Sequence, residues 1–306
     1  MNKSGRKLTS KQVARLLGVS EASVKRWADS GILPTEKTVG GHRRFRSQDI
    51  ALFRRERFST SGQQQTINSP TGSEQNGHSA VSSDADDEGL ASEMFDALVL
   101  GRAEDAAAPI VTAYLRGGRS VASLCDSVLA KAMHRIGDLW HQGELTVAKE
   151  HLATQAALTA LRTLHGVSST NGAHGLLAIC CSTEEDFHEL PIRVAELIFK
   201  CHGWEVVNLG PHTPFYALTE TVTDYHPRII CIASTVLPNL DRATREYKEF
   251  RQAAELKDVS IVLGGAGFAD EKVRRRFPAA LHAQTFQQLD EFIVASAASA
   301  IEPPTR

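Results

Sequence analysis

The sequence lacks any run of the roughly 20 apolar residues that a membrane-spanning helix requires, and its first residues, MNKSGRKLTS, lack the apolar centre of a signal peptide. The expectation is a cytoplasmic protein with no membrane partner. Cysteine is scarce: there are five, an odd number, with no Cys-x-x-Cys spacing. That argues against a disulfide scaffold and a zinc ribbon, and Cys125, Cys180, Cys181, Cys201 and Cys231, all in apolar contexts, read as small core residues in a reducing compartment. Residues 58–91 contain no Lys or Arg and few large apolar side chains, so they bury too little surface to offset ordering entropy and read as a disordered linker. No separate catalytic constellation stands out, and the chain reads as a non-enzyme.

Charge divides the chain unevenly. Residues 1–57 hold 14 Lys or Arg against 5 Asp or Glu, whereas the whole of the 306 residues nets −2. A basic head on an acidic body points to a polyanion that meets the head alone.

The head, residues 1–57, reads as a winged helix-turn-helix. Ser10 is placed to cap KQVARLLG, stopped by Gly18, and Ser20 to cap EASVKRWADSG, stopped by Gly31. A Pro-bounded strand, a Gly40-Gly41 turn, a basic strand and a last helix capped by Ser47 complete the pattern. Lys25, Arg26 and Trp27 on the second helix, with His42, Arg43 and Arg44 on the wing, are the candidate contacts to double-stranded DNA.

Residues 92–170 read as a four-helix bundle. Its informative stretch is LWHQGELTVAKEH, residues 139–151, where Gly143 breaks one helix and Thr146 caps the next. So short a turn folds Glu150 and His151 back toward Trp140 and His141. The same residues also fit a plain helix end, with Trp140 partly in the core and the histidines solvated.

From residue 171 to 306 the period changes. HGLLAICCS, WEVVNLG, RIICIAST and SIVLGGAG are short apolar strands, with helical spans starting near Leu190, Pro214, Leu237 and Asp270, which predicts a doubly wound parallel α/β domain. Ligands of such sheets sit beyond the carboxyl ends of the strands. There stand Asp186 and His188 after the first strand, Ser234-Thr235-Val236 after the third and Gly264-Gly265 after the fourth. A loop His with an acidic neighbour suits a metal ligand, because the carboxylate fixes the tautomer; taken singly, it also suits a solvated loop.

The head resembles the DNA-binding domain of the MerR family from Thr9 to Phe53. Asp-x-His with Ser-x-x and Gly-Gly across one sheet resembles the flavodoxin-like cobalamin-binding domains, and Trp-x9-Glu-His resembles the helical cap of light-sensing MerR-type repressors of the CarH and LitR group. The resemblance implies adenosylcobalamin as cofactor, with His188 as the lower cobalt ligand and Asp186 behind it. It implies that Ser234, Gly264 and Gly265 line a slot for the displaced nucleotide tail. Trp140, Glu150 and His151 would cover the upper face, and His141 would take the upper cobalt position once light has removed the adenosyl group. It further implies operator DNA as partner and a homo-oligomer, a tetramer, in the dark. Pro191 departs from the Gly of the pattern and Val236 from its Leu. Two other readings follow: a repressor whose sensor half answers an antirepressor protein or another tetrapyrrole, and a corrinoid methyl carrier.

Overall fold

The structure, a computed structural model, describes residues 7–17, 24–25, 28–29, 33–38, 41–46, 49 and 79–301. Gly18, Ser20, Arg26, Trp27, Gly31, Gly40, Ser47 and the linker stretch up to residue 78 lie outside them.

In the head, β1 (Lys7–Thr9), β2 (Glu36–Lys37) and β3 (Arg43–Arg46) form an antiparallel sheet in the order β1-β3-β2. Helix α1 (Ser10–Leu17) follows β1 directly. Its cap is Thr9 rather than the expected Ser10: Thr9 Oγ1 accepts from Gln12 N at 3.3 Å while Gln12 Oε1 accepts from Thr9 N at 2.9 Å. This reciprocal pair needs a side chain at the residue before the first helical one and an amide three residues on, and Thr9 and Gln12 supply both. Val13, Ala14, Val24, Leu33 and Phe45 form the buried core beneath.

Four helical stretches follow the linker. Helix α2 (Ser79–Val99) begins inside the segment expected to be linker, so 79–91 is helical instead. Ala91, Met94 and Leu98 are fully buried, α2 packs on the helix that ends at His141, and once that face is anchored each further residue adds a hydrogen bond without a new nucleation step. Helix α3 (Ala103–Leu115) comes next. The helix that Gly143 was expected to end is three consecutive pieces: α4 (Val121–Leu124), a π-helical turn (Cys125–Ala130) and α5 (Lys131–His141). Helix α6 spans Val147–Val167.

The chain forms two compact units: residues up to 110 with 127–160, and 111–126 with everything from 161 onward. The second unit holds a five-stranded parallel sheet of β4 (Leu177–Thr183), β5 (Glu205–Thr213), β6 (Ile229–Ala233), β7 (Ser260–Gly264) and β8 (Leu281–Ala283), in the order β5-β4-β6-β7-β8. Sequence reasoning found the first four; β8, three half-buried residues, is too short to show a pattern. Between and after the strands lie α7 (Leu190–Cys201), α8 (Phe215–Tyr225), α9 (Leu240–Leu256), α10 (Glu271–Arg276) and α11 (Phe286–Ile301).

Strand alternation sends Ile179, Cys181, Ile230, Ile232, Ile261 and Leu263 into one core with Phe215, Tyr247, Phe250 and Phe277. Ala178, Cys180, Cys231 and Val262 are equally buried, and α7 packs along β4, β5 and β6. All five cysteines are free; four are buried as expected of core residues, whereas Cys201 is only half-buried. Burial pushes the thiols of Cys125 and Cys181 up, and the hydrogen bond with Cys231, then burial, does the same to Cys180. Asp126 ties α4 to this unit by accepting from Phe286 N at 2.8 Å and Gln287 N at 2.9 Å, at the start of α11. Burial raises its carboxyl above the usual range, and the two backbone donors only partly offset that.

Candidate cofactor-binding site

The strand order reverses between β4 and β6, two parallel neighbours whose onward connections run to opposite sides of the sheet. That is the switch point where doubly wound sheets of this order open a crevice for a ligand. A surface pocket there is lined by Thr183 at the end of β4 and Glu184 after it, Leu237 and Asn239 after β6, Phe215 of α8 and Arg242 of α9. Arg242 is held by Glu184 at 2.6 Å and by Glu246 at 2.8 Å.

Asp186 is almost wholly buried, whereas the His188 side chain is 55% exposed. Asp186 Oδ1 lies 2.6 Å from His188 Nδ1 and accepts from His188 N at 3.0 Å; Oδ2 accepts a short bond from Thr235 N, just after β6. Burial pushes this carboxyl up, but the His188 ring and the backbone donors outweigh it and hold Asp186 below the usual carboxylate range. An ionised Asp186 accepts a hydrogen bond from Nδ1–H, which fixes the tautomer that leaves the ring's lone pair on Nε2. Ser182 Oγ donates to the His188 carbonyl at 3.0 Å, so the backbone of His188 is pinned as well.

Ser234 is fully buried at the end of β6. Its Oγ donates to the Val236 carbonyl at 2.9 Å and lies 2.8 Å from Thr183 Oγ1. Gly265 has φ +94, and a Cβ there would stand 2.4 Å from the Ser234 carbonyl oxygen; at Gly264 the nearest atom would be Ala283 O at 3.4 Å. The structure thus brings Ser234, Gly264 and Gly265 to one corner, and Gly265 is required there by the Ser234 backbone itself. Pro191 is the second residue of α7, where its missing N–H would have had no helical acceptor.

In the helical unit the turn forms as the residues dictate. Gly143 has φ +69; Gly143 N donates to the Trp140 carbonyl at 2.9 Å and Glu144 N to the Leu139 carbonyl at 2.7 Å, a Schellman close. Thr146 Oγ1 then accepts from Lys149 N at 3.3 Å to start α6. Trp140 is half exposed and meets the His141 ring edge-on, centroids 4.7 Å apart. His141 Nδ1 lies 3.0 Å from the Gly137 carbonyl, and Glu150 accepts from Thr154 Oγ1 at 2.8 Å and stands 3.5 Å from His151 Nε2. The contacts run within each pair, Trp140 with His141 and Glu150 with His151.

On the head, Lys25 and His42 are exposed. Arg43 Nη2 pairs with Asp29 at 2.6 Å, and only 22% of its side chain is exposed. Arg44 Nη1 donates to the Arg43 carbonyl at 3.3 Å, with no carboxylate partner among the described residues. Arg46, by contrast, is engaged by Glu36 at 2.5 Å.

Sequence reasoning missed Ser182, Thr183 and His212 around the Asp186–His188 pair. The first two end β4 and the third lies at the end of β5, where the rule of reading polar residues at strand ends would have found them. Among the described residues no group of three or more His, Cys, Asp or Glu is arranged to hold a metal ion. A lone imidazole with a carboxylate-fixed tautomer suits a metal already gripped by a macrocycle and short of one axial ligand.

Known proteins resemble parts of this chain. The B12 binding domain family matches residues 90–165 and the helix-turn-helix domain family residues 8–57. The chain is 30% identical over 142 residues to the HTH-type transcriptional repressor CarH of Myxococcus xanthus, covering 46% of each chain. It is 27% identical over 175 residues to the repressor CarA of the same organism, covering 56% of each. The chain therefore spans about half the length of the curated relatives it matches. The monomethylamine corrinoid protein of Methanosarcina barkeri shares the fold, with a TM-score of 0.57 at 16% identity over 69% of this chain and 99% of that one.

Proposed function

We propose that this chain, similar in its matched domains to the CarH-type B12-binding repressors, is a cobalamin-dependent transcriptional repressor whose grip on DNA is set by light. The observation that carries the reading is the Asp186–His188 pair at the switch point of the sheet, on a chain that also has a helix-turn-helix domain.

In this reading His188 would hold cobalt through Nε2, with Asp186 fixing its tautomer. Ser234, Gly264 and Gly265 border the slot for the nucleotide tail. Trp140, Glu150 and His151 cover the upper face. His141, with Nδ1 on the Gly137 carbonyl, keeps the Nε2 lone pair for the upper position. When bound, adenosylcobalamin supplies a light-sensitive cobalt–carbon bond. In the dark the chains assemble as a tetramer, and several winged helix-turn-helix heads bind operator DNA together, so avidity multiplies affinity without new base contacts. Lys25, Arg26 and Trp27 enter the groove, with His42, Arg43 and Arg44 at the wing. In this reading light would undo that assembly and release the operator. Pro191 gives little support to a cobalamin-independent sensor, since the first turn of α7 accommodates it. A methyl-carrier role leaves the helix-turn-helix head without a purpose.

The test is the visible spectrum of the protein loaded with adenosylcobalamin in the dark and desalted, before and after green light. Retained corrin absorbance that changes irreversibly with light is expected. Failure to retain a corrinoid would overturn the sensor assignment and leave only the DNA-binding half.

A further inference from the structure

The end of β5 brings a second histidine to the corner that holds His188. From Cys181 to Thr183 β4 advances two residues, while the paired stretch of β5, Gly210 to Thr213, advances three. One extra residue of this kind bends a strand and re-aims a side chain. His212 lies in that interval with φ +58, and Glu185, in the β4 loop, has φ +65. A residue with a Cβ keeps a left-handed backbone only where its surroundings impose it.

A clasp between the two segments imposes it. His212 N donates to the Asp186 carbonyl at 2.9 Å, and Glu185 N donates to His212 Nδ1 at 2.8 Å. The His212 ring then stacks on Phe187, centroids 5.1 Å apart and planes 13° from parallel. Residues 185, 186 and 187 are thus each held by one part of His212, and the next residue is His188. Phe187 nevertheless leaves 71% of its surface exposed, so the stack orders the loop without burying it.

We propose that His212 is a positioning residue for the His188 imidazole: its clasp on residues 185–187 fixes the loop so that the Asp186–His188 pair presents Nε2 as an axial ligand. The inference rests on the reading of His188 as the lower ligand. It needs an acceptor at the place of Nδ1 and a residue tolerant of left-handed backbone, and Asn meets both needs.

The experiment uses the full chain labelled with 15N-histidine and loaded with cob(II)alamin, and reads the splitting that an axial histidine nitrogen imposes on the cobalt spin resonance. The unlabelled protein separates this from the cofactor's own base. His188→Ala should abolish the histidine signal. His212→Ala should lower the histidine-coordinated fraction at least fivefold, and His212→Asn should return it to within twofold of the parent. A His212→Ala protein with the parent fraction overturns the inference, as does an Asn variant no better than Ala. Loss of the signal in His212→Ala alone, with His188→Ala unchanged from the parent, overturns the ligand reading and this inference with it. Should His212→Ala fail to fold, Phe187→Ala decides, because removing an exposed ring opens no core: a fraction lowered twofold or more supports the clasp, and an unchanged one refutes it.

Discussion

Asp186 Oδ1 and His188 Nδ1 are 2.6 Å apart, on residues two positions apart in one loop, and the first is buried while the second faces outward. A charge inside thereby sets the state of a ring outside. Asp186→Asn should keep most of the shape and lose the charge, weakening corrinoid retention about 10- to 100-fold, the usual cost of removing a ligand's outer partner. Equilibrium dialysis against adenosylcobalamin in the dark measures it, and retention equal to the parent would detach Asp186 from ligand control.

The same carboxyl makes stability pH-dependent. Its folded value lies below its ordinary one, so the unfolded chain binds the proton more readily. The stability it contributes is present above the ordinary carboxylate range and is lost as pH falls through the folded value. The melting temperature of the parent should therefore drop more steeply in acid than that of Asp186→Asn, and the two curves should converge at low pH. Parallel curves would contradict the shift.

Much of this corner was legible because a parallel sheet puts its polar residues in a known place. The apolar runs located β4 to β7, and the residues after their ends included Asp186, His188 and Ser234. The hand-off from Thr9 to Gln12 was misread because Ser10 is as good a cap by composition, and only the side-chain geometry chooses. The start of α2 at Ser79 was hidden because Ser- and Asp-rich sequence has weak helix propensity, and packing at Ala91, Met94 and Leu98 overrides it. The π-helical turn at Cys125–Ala130 left no mark in the apolar periodicity.

Two neighbouring glycines should respond differently. Gly265→Ala forces φ +94 on a residue with a Cβ and sets that Cβ 2.4 Å from a backbone oxygen, so the sheet unit should lose about 1–3 kcal/mol or more. Gly264→Ala meets its nearest atom at 3.4 Å and should lose less. Urea unfolding followed by far-UV dichroism ranks them; equal midpoints would mean that the β6–β7 corner relaxes freely.

A second glycine pair should move stability in opposite directions. Gly143, at φ +69 with nothing within 4 Å of a Cβ, carries only a backbone requirement, so Gly143→Ala should cost about 1 kcal/mol. Gly137, inside α5 with equally open space, should gain up to about 1 kcal/mol as Ala. Opposite shifts in the urea midpoint are expected, and shifts of one sign would refute the turn assignment.

On the head, Arg44 and Arg43 should separate in a salt titration. Arg44 has no carboxylate partner among the described residues, whereas Arg43 is tied to Asp29. Arg44→Ala should lower the slope of log affinity against log salt by about 1. Arg43→Ala should change the slope less and lower the melting temperature more, as anisotropy with duplex DNA and thermal scans would report.

The bonds from Phe286 N and Gln287 N to Asp126 join residues 160 and 161 positions apart, and the unit they close is made of two chain segments with 127–160 between them. A ribosome delivers those segments in order. Residues 111–126 emerge early and wait without their partner until the start of α11 has been made, so this unit closes late in synthesis. Loop closure over such a separation also favours slow folding. The unit that carries His188 therefore becomes a folded body only after residue 286 has been made.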